Sequence, residues 1–146
     1  MVAVATAVPL AYLTLAARKQ AMARIGQTRS GLIEDALIGP VFRRVIGENL
    51  EDWQDHLLTM YRFWSSVMLT SGRYKGNPMA KHMALSDVEP HFFDRWLALW
   101  DEATGEVFVE PQAERFRLTA RRIAESLKLG MFYRPGAPGS LPPAAA

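Results

Sequence analysis

Residues 50–70, LEDWQDHLLTMYRFWSSVMLT, contain neither glycine nor proline, and Gly47 and Gly72 punctuate the chain on either side. Within the run, large side chains recur at three- and four-residue steps. His56, Met60, Phe63 and Val67 form one row; Trp53, Leu57, Trp64 and Met68 form its neighbour. Two adjacent rows make a wide apolar face, so the spacing predicts a long helix that is mostly buried and must be covered by other helices. Asn49 with Asp52 reads as its capping arrangement.

The remaining segments are helical as well. Gly39 and Pro40 punctuate a turn ahead of the short apolar piece VFRRVI, which Gly47 closes. After a basic, glycine-containing loop at 71–77, Asn77 followed by Pro78 opens a helix of about two turns, too short to be stable alone. Its apolar side carries Met79, Met83 and, one step around, His82. Ser86 with Glu89 and Pro90 announces a further helix with the face Phe92, Phe93, Trp96, Leu97 and Trp100, expected to end at Gly105. A last helix starts at Pro111 with Phe116, Ala120, Ile123 and Leu127 on its face, and Arg115, Arg121, Arg122 and Lys128 turned to water. No segment alternates over a strand length, so the expected fold is all-α.

Composition narrows the function classes. Hydrophobic residues make up 49% of the 146, enough for one buried core. The net charge of +2 is spread among interspersed acids and bases, the pattern of solvated helix faces rather than of a nucleic-acid footprint. There is no cysteine, which excludes disulfides, iron–sulfur clusters and thiolate zinc sites. Any metal has to use histidine or carboxylate. Residues 1–17 are apolar, but Pro9 interrupts them and no charged region precedes them. They read as a poorly structured extension over 1–26, with a weak targeting or membrane segment as the alternative. The proline-, glycine- and alanine-rich end, 134–146, reads as a disordered tail. Residues 27–133 remain as the folded domain.

The three histidines, His56, His82 and His91, lie in three different segments, and no zinc-helix, nucleophile-elbow or P-loop spacing is present. The acids Glu51, Asp52 and Asp55 fall on the polar side of their helix. His91, just after Pro90, reads as a surface residue. His56 and His82 each face surfaces rich in Met, Phe and Trp. A buried core histidine explains either one alone; together they match the walls and single imidazole that a large flat apolar cofactor needs.

The segments GPVF, DWQDHLLTMYRFWSSVML and GRYKGNPMAKH, followed in order by HFFDRWLALWDEA and RRIAESLKLG, closely resemble the group III truncated haemoglobins. The resemblance implies a shortened globin in which two helix pairs sandwich haem b. It makes His82 the proximal ligand of the haem iron and places His56 and Trp96 on the ligand side, with Met60 one turn beyond His56. Met60, Phe63, Trp64, Met79 and Phe92 would wall the pocket, and Arg73, Tyr74 and Lys81 would meet the propionates. The Phe-Tyr pair usual on the family's helix B falls in this register on Thr28 and Arg29, so that helix is expected to be shortened or degenerate. The implied function is binding of oxygen or another diatomic ligand, with nitrogen-oxide or peroxide detoxification as an enzymatic extension needing a reductase. A cytoplasmic location is expected, with no nucleic-acid or membrane partner. The alternative is a degenerate helical domain that has lost haem and serves as an interaction module or is a fragment.

Overall fold

The computed structural model describes residues 32–136. The extension expected over 1–26, the start of the expected domain at 27–31 with Thr28 and Arg29, and tail residues 137–146 lie outside the described residues. After a helical turn at 32–34 the chain forms α1 (Gly39–Val45), α2 (Leu50–Leu69), α3 (Pro78–Met83), α4 (Pro90–Val107) and α5 (Gln112–Phe132), with no strand among the described residues. The all-α expectation holds. None of these helices is long and apolar enough to cross a membrane.

Helices α4 and α5 lie along one another and α3 docks on α5, whereas α2 meets the pair through its large side chains. Among the described residues the buried clusters include Trp64, Trp100 and Ala120 in a first; Leu32, Ile38, Trp53 and Leu99 in a second; and Phe93, Ala124 and Leu127 in a third. Helix α4 joins them, because Trp96 packs on the first and second and Leu97 on the first and third.

Several local details differ from the sequence reading. Gly39 and Pro40 are not a turn but the first residues of α1, where proline lacks only an amide that the helix would leave unpaired anyway. Asn49 is the N-cap of α2, yet its side chain makes no capping bond. On α2 the second row is the buried one, with Trp53, Leu57 and Trp64 inside, while Val67 is exposed, so the helix is half-covered rather than mostly buried. Helix α4 runs through Gly105 to Val107. There a Cβ on Gly105 would come within 2.9 Å of the Arg117 guanidinium. That guanidinium bonds the Thr104 hydroxyl, the Asp101 carbonyl and Glu110, so the glycine makes room for a cross-helix arginine instead of ending the helix. Arg121 and Lys128 are not simply turned to water either: Arg121 pairs with Asp101 at 2.6 Å, and Lys128 reaches Asp94 at 3.8 Å as well as Glu125.

The loop before α3 is tied back to the end of α2. Thr70 adopts a left-handed conformation that stops the helix. The Ser65 and Ser71 hydroxyls bond at 2.7 Å, and the Tyr74 amide donates to the Ser66 hydroxyl at 2.8 Å. These two serine contacts set where α3 begins.

Candidate functional site

Helix α3 begins as its sequence prescribes. The Asn77 side chain accepts from the Ala80 amide at 3.0 Å, and Pro78 occupies the first turn. Met79 then lies against Gly130 of α5, where even a single added carbon would overlap its sulfur. This close approach seats a six-residue helix that could not hold itself.

His82 is thereby fixed. Its Nδ1 lies 2.8 Å from the Pro78 carbonyl oxygen one turn back. A carbonyl can only accept, so Nδ1 carries the proton, and Nε2 is the nitrogen left to take a metal. The half-buried ring is 6.1 Å from Phe93 and tilted by 31°. This hydrogen bond to a backbone carbonyl is the kind that orients a metal-ligating imidazole. Among the described residues no three His, Cys, Asp or Glu side chains gather into a metal cage. A metal at His82 therefore has to bring most of its ligands with it, which a macrocycle does and a bare ion does not.

His56 occupies α2 beside the second cluster, edge-on to Trp53 at 5.8 Å. Burial lowers its pKa to about 4, so the ring is neutral at physiological pH. Trp96 is half-buried on α4 and stacks on Trp100 at 5.2 Å. Met60 and Phe63 are half-buried against the first cluster, whereas Trp64 lies within it, stacked on Trp100 at 4.4 Å. Phe92 packs in the second cluster with its ring edge toward His91. Met79 belongs to the third.

The structure thus brings Met60, Phe63, Trp64 and Trp96 together and connects Trp96 and Phe92 to the cluster beside His56. His82 and Met79 both lie beside Phe93, Met79 in the third cluster. The basic residues are looser. Arg73 donates to the Tyr61 hydroxyl at 3.0 Å, Lys81 is exposed in the last turn of α3, and the Tyr74 ring meets Phe63 edge-on at 5.3 Å. Two residues named in the sequence only as helix-face and helix-start positions take part in the site: Phe93, the neighbour of the His82 ring, and Pro78, through its carbonyl. The four-residue step from Pro78 to His82 was the available signal for the second.

No protein-family model matches the chain. A curated relative, group 3 truncated hemoglobin ctb of Campylobacter jejuni, is 32% identical over 103 residues, which are 70% of this chain and 80% of the relative. The crystal structure of group III truncated hemoglobin from Campylobacter jejuni matches with a TM-score of 0.70 at 28% identity, covering 82% of this chain and 94% of that one. The order of the helices, the short α3 and the sequence agreement give one answer: this chain belongs to the group III truncated haemoglobins.

Proposed function

We propose that the chain binds haem b through His82 Nε2 and takes up oxygen or another diatomic molecule on the side of His56 and Trp96. The observation that carries this reading is the 2.8 Å contact from His82 Nδ1 to the Pro78 carbonyl, which commits one nitrogen and presents the other. Bound haem would supply an iron with one coordination position open to a small ligand.

The chain's own groups do the rest. Asn77, Pro78 and the Met79–Gly130 contact hold the imidazole in place. Met60 and Phe63 wall the site with apolar surface that keeps water out. The neutral ring of His56 offers one donor and one acceptor, and the Trp96 indole offers a donor; a polar ligand is favoured over a nonpolar one by either. Arg73, Tyr74 and Lys81, near the start of α3, are the groups available to haem carboxylates. Turnover of nitrogen oxides or peroxide would require a reductase to return electrons.

The test is haem titration of the purified chain, followed by absorption spectroscopy. The chain is expected to develop a Soret band with one haem per chain. His82→Gly should lose it, and added imidazole should restore it by replacing the missing ring. A wild-type chain that develops no Soret band would favour the haem-free helical domain. Normal axial coordination in His82→Gly would move the ligand to another residue.

A further inference from the structure

Three indoles form one continuous stack through the centre of the molecule. Trp96 lies parallel to Trp100, with centroids 5.2 Å apart and planes at 19°; Trp100 lies parallel to Trp64 at 4.4 Å and 20°. Trp64 meets the edge of Phe63 at 5.5 Å, and Phe63 meets Tyr74 at 5.3 Å. One end of the chain of rings, Trp96, is half-buried at the proposed ligand side. The other, Tyr74, is a half-buried phenol in the loop before α3, while the two indoles at the centre are deeply buried, Trp64 being 4% and Trp100 1% exposed.

We propose that Trp96, Trp100 and Trp64 form a relay that carries one-electron oxidising equivalents from the haem pocket to Tyr74, where an external donor of the phenol or ascorbate class quenches them. The proposal rests on the haem reading above. It adds a second job for residues that packing alone would also place in a core, since stacked aromatic pairs stabilise a fold whether or not they conduct.

The chemistry favours conduction at the centre and trapping at the end. Tryptophan and tyrosine are the most readily oxidised aromatic side chains, and stacking spreads a positive hole over neighbouring indoles. The Trp100 indole N–H donates to the Phe116 carbonyl at 3.2 Å. A carbonyl is too weak a base to take that proton, so oxidised Trp100 remains a mobile cation. Phe63 is not oxidised; the electron tunnels across it between two rings in contact. At Tyr74 the oxidised phenol loses its proton to water, and the hole stops there.

Each passage moves one electron from Tyr74 through Trp64 and Trp100 to Trp96, with no atom transferred between rings, and releases the phenolic proton to water. Two passages deliver two electrons, which with two protons from water reduce a hydroperoxide to an alcohol and water. The external donor returns an electron and a proton to Tyr74 each time.

The experiment is freeze-quench electron paramagnetic resonance on the haem-loaded full chain after one equivalent of hydrogen peroxide, with ring-deuterated tyrosine or tryptophan to identify the radical. A tyrosyl signal, measured per bound haem, is expected that is lost in Tyr74→Phe and equally lost in Trp100→Phe, the latter keeping the wild-type Soret band and helical circular dichroism. Trp64→Phe should behave as Trp100→Phe does, which guards against a folding defect in either. A full tyrosyl signal in both tryptophan variants would mean that Tyr74 is oxidised directly from the haem edge and would overturn the relay. So would a wild-type signal untouched by Tyr74→Phe. If the chain takes up no haem, the haem reading fails by itself. A ruthenium photo-oxidant in solution then generates the hole, and tryptophanyl-to-tyrosyl transfer that is as fast in Trp64→Phe as in wild type overturns the relay on its own terms.

Discussion

The indole nitrogen of Trp53 donates to the Gly47 carbonyl at 2.9 Å, which fastens the turn between α1 and α2 to the most deeply buried side chain of α2. Gly47 can serve because its φ is +108°, a conformation that side chains resist, and because the Asp52 carboxylate fills the space where a Cβ would stand. We expect Gly47→Ala to destabilise the chain by about 1–3 kcal/mol, the usual cost of such backbone strain. The urea midpoint should fall with an unchanged slope. An unchanged midpoint would mean that the turn relaxes freely and does not position Trp53.

A second fastening connects the residues before α1 to α4. The Asp35 carboxylate accepts from the Leu37 and Ile38 amides at 3.0 Å each and pairs with Arg95 at 2.8 Å. Burial pushes its pKa up, but the two amides and the Arg95 guanidinium outweigh burial and hold it below the usual value. The folded state therefore binds its proton less tightly than the unfolded one. The contribution is complete above the ordinary carboxylate range and is lost as pH falls through it. Asp35→Ala is expected to cost about 2 kcal/mol near neutrality and Asp35→Asn less, since the amide oxygen can still accept from the backbone. Acid titration monitored by circular dichroism checks this, because the gap between wild type and Asp35→Ala should close at low pH. A constant gap would remove the charge from the explanation.

Much of this architecture is legible from spacing. The long α2, the Asn77–Pro78 start of α3 and the aromatic face of α4 follow from local rules, and the structure has all three. What spacing does not reveal is which apolar row faces which neighbour. Trp64 and Phe63 are adjacent in sequence, yet Trp64 is enclosed between helices, stacked on Trp100, while Phe63 is half-exposed beside Tyr74. Gly105 reads as a stop because the Arg117 that needs its space lies on the next helix. Arg121 and Lys128 of α5 find carboxylates on α4, Asp101 and Asp94, for the same reason. Pairings across elements decide these details, and a one-dimensional pattern carries none of them.

On the ligand side, Trp96 and His56 are expected to govern release of a bound diatomic ligand without governing haem retention. Neither belongs to α3, and a single hydrogen bond of about 1 kcal/mol is enough to change a dissociation rate by roughly fivefold. Trp96→Phe and His56→Leu should therefore each alter ligand off-rates in stopped-flow measurements and leave the Soret intensity intact. Loss of haem in either variant would instead show that the residue braces the pocket. Unchanged rates in both would place the ligand elsewhere.

His56 also makes a prediction that needs no cofactor. Burial lowers its pKa to about 4, against an ordinary value near 6.5 in the unfolded chain. Between those values the unfolded chain binds a proton that the folded chain refuses. Stability must fall as pH drops through this window, by an amount that approaches about 3 kcal/mol at its acid end. Above about pH 7 both states are neutral at this ring, and the effect vanishes. Replacing His56 by Leu keeps an apolar filler of similar reach beside Trp53 and removes the titration. The variant should resemble wild type in urea near neutrality and become progressively the more stable of the two toward about pH 4.5. His82 and His91 are present in both proteins and cancel in the comparison, so the growing difference belongs to His56. Parallel stability curves for the two proteins would show that the ring is protonated within the fold as easily as outside it. In that case His56 would stand open to water, and the apolar face of α2 would not close over the ligand side.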